Sequence, residues 1–299
     1  IQAKMDYEVI IIGAGPAGIS AALQLKRYDI PALLIEKDRI GGLLLNAGLV
    51  ENYPGFPDGI GGPQLVDLFK RQLEKNSIPV IKAELTALEC KNDFIIGTFG
   101  NQRFNARHLV IATGTKPRKI NKEINISPGI YHRIFSEVYP LIGIMNMHIV
   151  IVGAGDAAFD YALNLAARNR VTICNRGTVI KALPLLVRRA DANGSIEYRE
   201  NTSISELFSA ESGAVCIRCY RNGKIETLET DYLIWAIGRE PQLDFLPESL
   251  VIMNDQAGVK QNMYFIGDVR NSAFRQTAIA VGDGIKAAMV IAAQLKGNG

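Results

Sequence analysis

Glu8-Val-Ile-Ile-Ile-Gly-Ala-Gly-Pro-Ala-Gly18 is the stretch on which the fold turns. Its apolar residues 9–12 read as a buried strand, and Gly13-x-Gly15-x-x-Gly18 follows directly and opens a helical pattern over 17–28. Each glycine has a separate physical task. Gly13 permits the tight turn, Gly15 lets the backbone approach a pyrophosphate, and Gly18 lets helix and strand pack closely. Pro16 and Ala17 begin the helix, whose N-terminal N–H groups suit phosphate oxygens. A second apolar strand at 32–35 ends on Glu36, with Lys37 next. A carboxylate in that place accepts from the hydroxyls of an adenosine ribose. Strand, glycine turn, helix and strand together make a dinucleotide-binding βαβ unit.

The pattern occurs twice. His148-Ile-Val-Ile-Val-Gly-Ala-Gly-Asp-Ala-Ala158 repeats it about 140 residues further on, with Gly153, Gly155 and an allowed Ala158 in the three fingerprint places. Asp156 and Ala157 start its helix, expected over 157–168, and a strand follows at 171–174. Asn175 and Arg176 stand where the first unit has Glu36 and Lys37. A missing carboxylate and an added cation suit a 2′-phosphate, which points to NADPH before NADH.

Between the fingerprints the chain predicts a helix at 67–75 and strands at 80–84, 94–99 and 108–112. After the second come strands at 203–208 and 214–221, an Asn222-Gly223 hairpin turn, a return strand at 225–228 and a further strand at 232–236. A short strand at 264–267 and an Ala-rich helix at 277–295 finish the pattern. Composition excludes several classes. The 299 residues are 48% hydrophobic and 21% charged, as in a globular protein with room for two cores. A net charge of +3 without interleaved basic and aromatic residues argues against nucleic acid. No apolar run approaches a membrane span, and Met5 leaves too few residues before it for a signal peptide. Four Cys in a chain of this length favour a reducing cytoplasm over a disulfide framework. His108, His132 and His148 lack metal-ligand spacing, so no metal is expected.

The motifs in their order resemble the low-molecular-weight thioredoxin reductase family over almost the whole chain. The resemblance is carried by Gly41-Gly42, Val50-Glu51-Asn52-Tyr53-Pro54-Gly55-Phe56-Pro57, Gly61-Gly62 and Ala112-Thr113-Gly114. It continues through Ala236-Ile237-Gly238-Arg239, Phe265-Ile266-Gly267-Asp268, Arg275-Gln276-Thr277 and Val281-Gly282-Asp283-Gly284. It implies an α/β fold of two Rossmann-like dinucleotide-binding domains, each a three-layer ββα sandwich, the second inserted into the first. Residues 1–117 plus 244–299 would hold FAD, and residues 118–243 would hold NAD(P)H. Asp268 would bond the flavin's ribityl chain. Arg275, Gln276 and Thr277 would lie near its pyrimidine and pyrophosphate, and Asn52, Gly41, Gly42 and Leu43 against the isoalloxazine. Gly267 and Ala112, Thr113 and Gly114 belong to the same FAD set, and Ile237 and Gly238 to the nucleotide set. The resemblance also implies a homodimer.

Two departures narrow the expected activity. The family carries Cys-x-x-Cys just before the second fingerprint, but the spacing lands on Ser136-Glu137-Val138-Tyr139, and no Cys lies between Gly114 and Gly153. Cys216-Ile-Arg-Cys219 falls in a strand, where residues three apart point to opposite faces, so it does not replace the pair. The family's His-Arg-Arg and distal Arg are here Asn175-Arg176-Gly177 and Lys181, a thinner phosphate clamp. The expectation is an FAD-dependent oxidoreductase that passes electrons from NADPH through flavin to an external acceptor, with no protein disulfide and no catalytic side chain. Ferredoxin, flavodoxin or a small molecule would be the acceptor. The alternatives are NADH or a non-nicotinamide donor such as ferredoxin, a disulfide supplied by another subunit, and a flavin-binding regulatory subunit without turnover.

Overall fold

The computed structural model describes residues 7–91, 94–99, 102–246, 259–260 and 262–297. The chain forms two compact units, one of Ile1–Leu45, Val50–Lys116 and Glu240–Gly299, the other of Asn46–Leu49 and Pro117–Arg239. The helices used below are α1 (Pro16–Arg27), α2 (Gly62–Lys75), α3 (Asp156–Ala166), α4 (Pro184–Asp191) and α5 (Thr277–Gly297).

In the first unit six strands form one sheet, in the order Val259–Lys260, Met263–Phe265, His108–Ile111, Val9–Ile12, Ala32–Glu36 and Val80–Lys82. All neighbours are parallel except the first pair. Val9–Ile12 is central and buried on both faces, which is why it is uniformly apolar. Ile10 and Ile12 pack with Leu85, Leu88, Ile95 and Phe99 of a three-stranded antiparallel sheet, Leu85–Lys91, Phe94–Phe99 and Gln102–Ala106. Ile11 faces the other way, onto α1. Along α1 runs α5, the longest helix among the described residues. By length and composition α5 would also cross a membrane, with mean hydropathy 1.5; a third of that window, Ala287, Ala288 and Ile291 among it, is buried within the unit, while Ile279, Ile285 and Met289 are exposed.

The second unit repeats the plan. A five-stranded parallel sheet runs Ile134–Phe135, Tyr232–Trp235, His148–Val152, Arg170–Cys174 and Ile196–Arg199. Ile149, Ile151, Val171, Ile173 and Ile234 pack with Phe159, Ala162, Leu165 and Ala190 of α3 and α4. On the opposite face Val150, Val152, Leu233 and Trp235 meet Leu207, Val215 and Ile217. Those three belong to a second sheet of Lys224–Thr230, Val215–Arg221, Thr202–Ser209 and Asn125–Ile126. Asn222 and Gly223 both take positive φ, 48° and 80°, as a two-residue hairpin turn requires. The fold is therefore α/β with two Rossmann-like three-layer units, the second inserted into the first.

Several elements differ from the sequence expectation. Helix α2 starts at Gly62 rather than 67, because a proline in the first helical turn forfeits no hydrogen bond. The strand expected to reach 267 stops at Phe265, and Gly267, at φ 70°, opens a 3-10 turn to Val269. Strands Leu85–Lys91, Gln102–Ala106 and Ile196–Arg199 were not anticipated.

Candidate functional site

The glycine fingerprint of the first unit is built by close backbone approach. A Cβ on Gly13, whose φ is 101°, would lie 2.3 Å from the Ala112 carbonyl oxygen, and one on Gly18 would lie 1.9 Å from the Gly13 oxygen. Gly15 is different: a Cβ there would meet nothing within 4 Å. Gly15 is also the N-cap of α1 and offers no side-chain cap, so the helix end opens onto that vacant side. A pyrophosphate fits such an end.

Glu36 closes the far side. Its Oε2 accepts the Ala14 N–H at 2.8 Å and its Oε1 the Asp38 N–H at 2.9 Å. Each carboxylate oxygen keeps acceptor capacity for a ribose hydroxyl. Beside it an open crevice is lined by Gly13, Glu36, Lys37, Glu84, Thr113 and Phe245, among others. Lys37 pairs with Glu84 at 3.5 Å, and Thr113 Oγ1 donates to the Gln242 carbonyl at 2.7 Å. Glu84, Gln242 and Phe245 carry no spacing signal and were not anticipated. Gly114, at φ 63°, faces open space.

The remaining members of this set arrive from distant sequence. Gly41 donates to the Ala14 carbonyl at 2.7 Å, and a Cβ on Gly42 would be 3.7 Å from the Gly15 Cα. Leu43 follows in the 3-10 turn Gly42–Asn46. From the C-terminal part, a Cβ on Gly267 would come 2.9 Å from Ala17 Cβ, which sets the turn carrying Asp268 against the start of α1. Asn52 Nδ2 donates to Gln276 Oε1 at 2.9 Å, one residue after Arg275 and one before Thr277. The Gly41–Gly42 and Gly267–Asp268 turns thus meet at one open helix end, and the donors, glycine gaps and carboxylates present suit FAD.

In the second unit a Cβ on Gly153 would lie 2.3 Å from the Ala236 oxygen, just before Ile237 and Gly238, while Gly155 again faces nothing within 4 Å and caps α3 without a side chain. The 177–183 segment lies on this loop. Lys181 N–H donates to the Ala154 carbonyl at 2.8 Å, and Asp156 Oδ1 accepts the Leu183 N–H at 2.7 Å next to Ala157. Asn175 is buried and spends its amide inward, donating to the Val179 carbonyl and the Tyr198 hydroxyl and accepting from Gly177 N–H. It therefore shapes the turn that presents Arg176 and Lys181, both exposed. An uncapped helix end with two cations beside it suits a phosphorylated nucleotide.

The 136–139 segment makes structural contacts. Glu137 Oε1 accepts from Arg239 Nη2 at 3.2 Å and Glu137 Oε2 from Asn46 Nδ2 at 3.3 Å, while Asn46 Oδ1 accepts the Tyr139 N–H at 3.0 Å. Val138 is fully buried. Asp160, on α3, accepts the N–H groups of Gly48 and Leu49, and burial raises its pKa. Cys216 and Cys219 point to opposite faces of their strand, Cys219 inward and Cys216 outward. Burial raises both thiol pKa values, and it pushes the Cys174 thiol up to about 12. None of these three is an activated thiol. The side chain of Cys90 lies outside the described residues. His148 has both ring nitrogens engaged, with the Glu229 carbonyl at 2.8 Å and Thr172 Oγ1 at 2.9 Å, and His108 Nδ1 lies 3.2 Å from the Tyr264 hydroxyl. Burial lowers the pKa of each. Both are structural.

Residues 7–284 match the model of the pyridine nucleotide-disulphide oxidoreductase family. The chain is 29% identical to the thioredoxin reductase of Treponema pallidum, over 98% of both chains, and 29% identical to that of Bacillus subtilis, over 95% of this chain and 93% of that one. The crystal structure of Lactococcus lactis thioredoxin reductase in its FR conformation superposes with a TM-score of 0.84 at 28% identity, covering 96% of this chain and 98% of that one. Two glycine fingerprints with open helix ends on repeated three-layer units define a pyridine-nucleotide-linked flavoprotein, and the chain belongs to the pyridine nucleotide-disulphide oxidoreductase family. Within it the protein is a thioredoxin reductase-like FAD-dependent NAD(P)H oxidoreductase, of a class whose cofactors are FAD and NADPH.

Proposed function

We propose that this enzyme passes electrons from NADPH through FAD to an external acceptor without using a protein disulfide. The observation that carries this is the 136–139 segment. Where the resemblance calls for a redox pair, Glu137 is committed to Arg239 and Asn46, and no residue there can form a disulfide. The described thiols elsewhere, Cys174, Cys216 and Cys219, are free cysteines whose pKa values burial raises.

In this account residues 1–117 plus 244–299 hold FAD and residues 118–243 hold NADPH, an assignment supported by the two compact units. Gly13, Gly15, Pro16, Ala17 and Gly18 take the pyrophosphate, and Glu36 and Lys37 the adenosine. Gly41, Gly42, Leu43, Asn52, Ala112, Thr113, Gly114, Gly267, Asp268, Arg275, Gln276 and Thr277 surround the rest of the cofactor. Gly153, Gly155, Asp156, Ala157, Asn175, Arg176, Ile237 and Gly238 form the nucleotide site. Bound flavin supplies the electron transfer, while the side chains bind and orient it. The acceptor is a small electron carrier such as ferredoxin or flavodoxin, or a small molecule, and the enzyme works as a cytoplasmic homodimer. A non-nicotinamide donor is the second reading, favoured by the inward-turned Asn175 and the single Arg at the clamp.

Anaerobic titration of the FAD-loaded protein tests the donor. NADPH should bleach the flavin's visible absorption rapidly, and NADH more slowly. Bleaching by reduced ferredoxin or dithionite but by neither nicotinamide would remove NADPH from the mechanism.

A further inference from the structure

Val281-Gly282-Asp283-Gly284 lies on α5 beside the turn that carries Asp268. Gly284 has no room for a side chain: a Cβ would be 2.2 Å from the Ala17 oxygen and 2.1 Å from Ser20 Oγ. Ser20 Oγ in turn lies 3.0 Å from the Val281 carbonyl. This close approach sets α5 against the start of α1 and brings Asp283 within reach of the 3-10 turn Gly267–Val269. Asp283 Oδ2 accepts the Gly267 N–H at 3.0 Å and the Asn271 side-chain amide at 2.6 Å. Gly267 needs this support. It sits at φ 70°, directly after Ile266, whose N–H makes the last bond to the neighbouring strand by donating to the Ile111 carbonyl at 3.0 Å. The Arg270 and Asn271 N–H groups both fold back onto the Gly267 carbonyl, at 3.0 and 3.1 Å. One carboxylate oxygen therefore ties both ends of a short loop, and Asp268 stands between those ends.

We propose that Asp283 is a positioning residue for FAD, acting through the Gly267–Asn271 loop to set Asp268. This rests on the assignment of Asp268 to the flavin. A carboxylate accepting a backbone N–H is a stronger tie than a neutral acceptor. Its job is to hold a loop in the one arrangement that a rigid cofactor accepts, so it lowers the cost of ordering that loop on binding. No contact between Asp283 and FAD is required.

The test is a double-mutant cycle on FAD affinity, read as quenching of FAD fluorescence on titration into apoprotein. Asp268→Ala should weaken binding. Asp283→Ala removes both bonds at Oδ2 and should weaken binding about tenfold or more, at least the scale of one charge-assisted hydrogen bond. Asp283→Asn should recover most of the affinity, because an amide oxygen can accept the same two donors. In the Asp268→Ala background, Asp283→Ala should cost little further. Wild-type affinity in Asp283→Ala, or the same fold-loss with and without Asp268, would overturn the inference while leaving the site intact. Unchanged affinity in Asp268→Ala would instead remove the site assignment, and the inference with it. If Asp283→Ala does not fold, Asn271→Ala, which removes only the second bond at Oδ2, carries the same cycle with the same outcomes.

Discussion

Gly15→Ala separates cofactor binding from folding. Gly15 has φ −77° and ψ −178°, an extended backbone that any residue adopts, and a Cβ there meets nothing within 4 Å. In FAD-free protein the substitution costs only the difference between Gly and Ala as an N-cap, under about 1 kcal/mol. With FAD the added methyl occupies the open side of the α1 terminus. Displacing the pyrophosphate from two backbone N–H groups, at about 1.5 kcal/mol each, removes about 3 kcal/mol, or more than 100-fold in affinity. Gly13→Ala should behave the opposite way. Its Cβ would lie 2.3 Å from a backbone oxygen at φ 101°. Overpacking of about 1–3 kcal/mol adds to left-handed strain of about 1–2 kcal/mol, so the apoprotein itself is destabilised. Urea unfolding of both apoproteins, with FAD titration alongside, reads the two effects separately. The reasoning fails if Gly15→Ala destabilises the apoprotein as much as Gly13→Ala, or if it binds FAD like the wild type.

Gly155→Ala, also facing open space at an uncapped helix end, should raise KM for NADPH at least tenfold and leave FAD affinity unchanged; a loss of FAD instead would misplace the second site. Stability should fall as pH drops. Burial lowers the pKa of His108 and His148, so their contribution is whole above the unfolded value of about 6.5 and is lost as pH falls through and below it. Urea midpoints at pH 7.5 and 5.5 should show this, and His148→Gln should flatten the slope; an unchanged slope would contradict the assignment. Cys216→Ser should leave turnover and stability alone, while Cys219→Ser, fully buried, should cost about 1–3 kcal/mol of stability without touching turnover. A collapse of flavin turnover in either would reveal a thiol in the electron path.

How much was legible in the sequence follows from which contacts are local. Gly13, Gly15, Gly18 and Glu36 could be read because turn, helix end and carboxylate lie in one βαβ unit, where spacing alone dictates geometry. The fold class followed from finding the pattern twice. The Asp268 turn could be placed only through the family resemblance, because nothing local says that Gly267 will touch Ala17. The remaining strands are less visible. Ile196–Arg199 reads Ile-Glu-Tyr-Arg, an edge strand with two charges that form ion pairs rather than an apolar run. Asn175 could be placed beside the nucleotide by its match to Glu36, but its inward bond to Tyr198, 23 residues away, leaves no trace in the spacing. The clamp formed by Asn46, Glu137 and Arg239 was invisible for the same reason.

The central claim, that flavin is the enzyme's sole redox centre, is tested most directly by counting electrons. An anaerobic dithionite titration of the FAD-loaded protein should consume two electrons per FAD before excess reductant accumulates. Consumption of four per FAD, with a thiolate-to-flavin charge-transfer band developing on the way, would show a disulfide in series with the flavin and contradict the account.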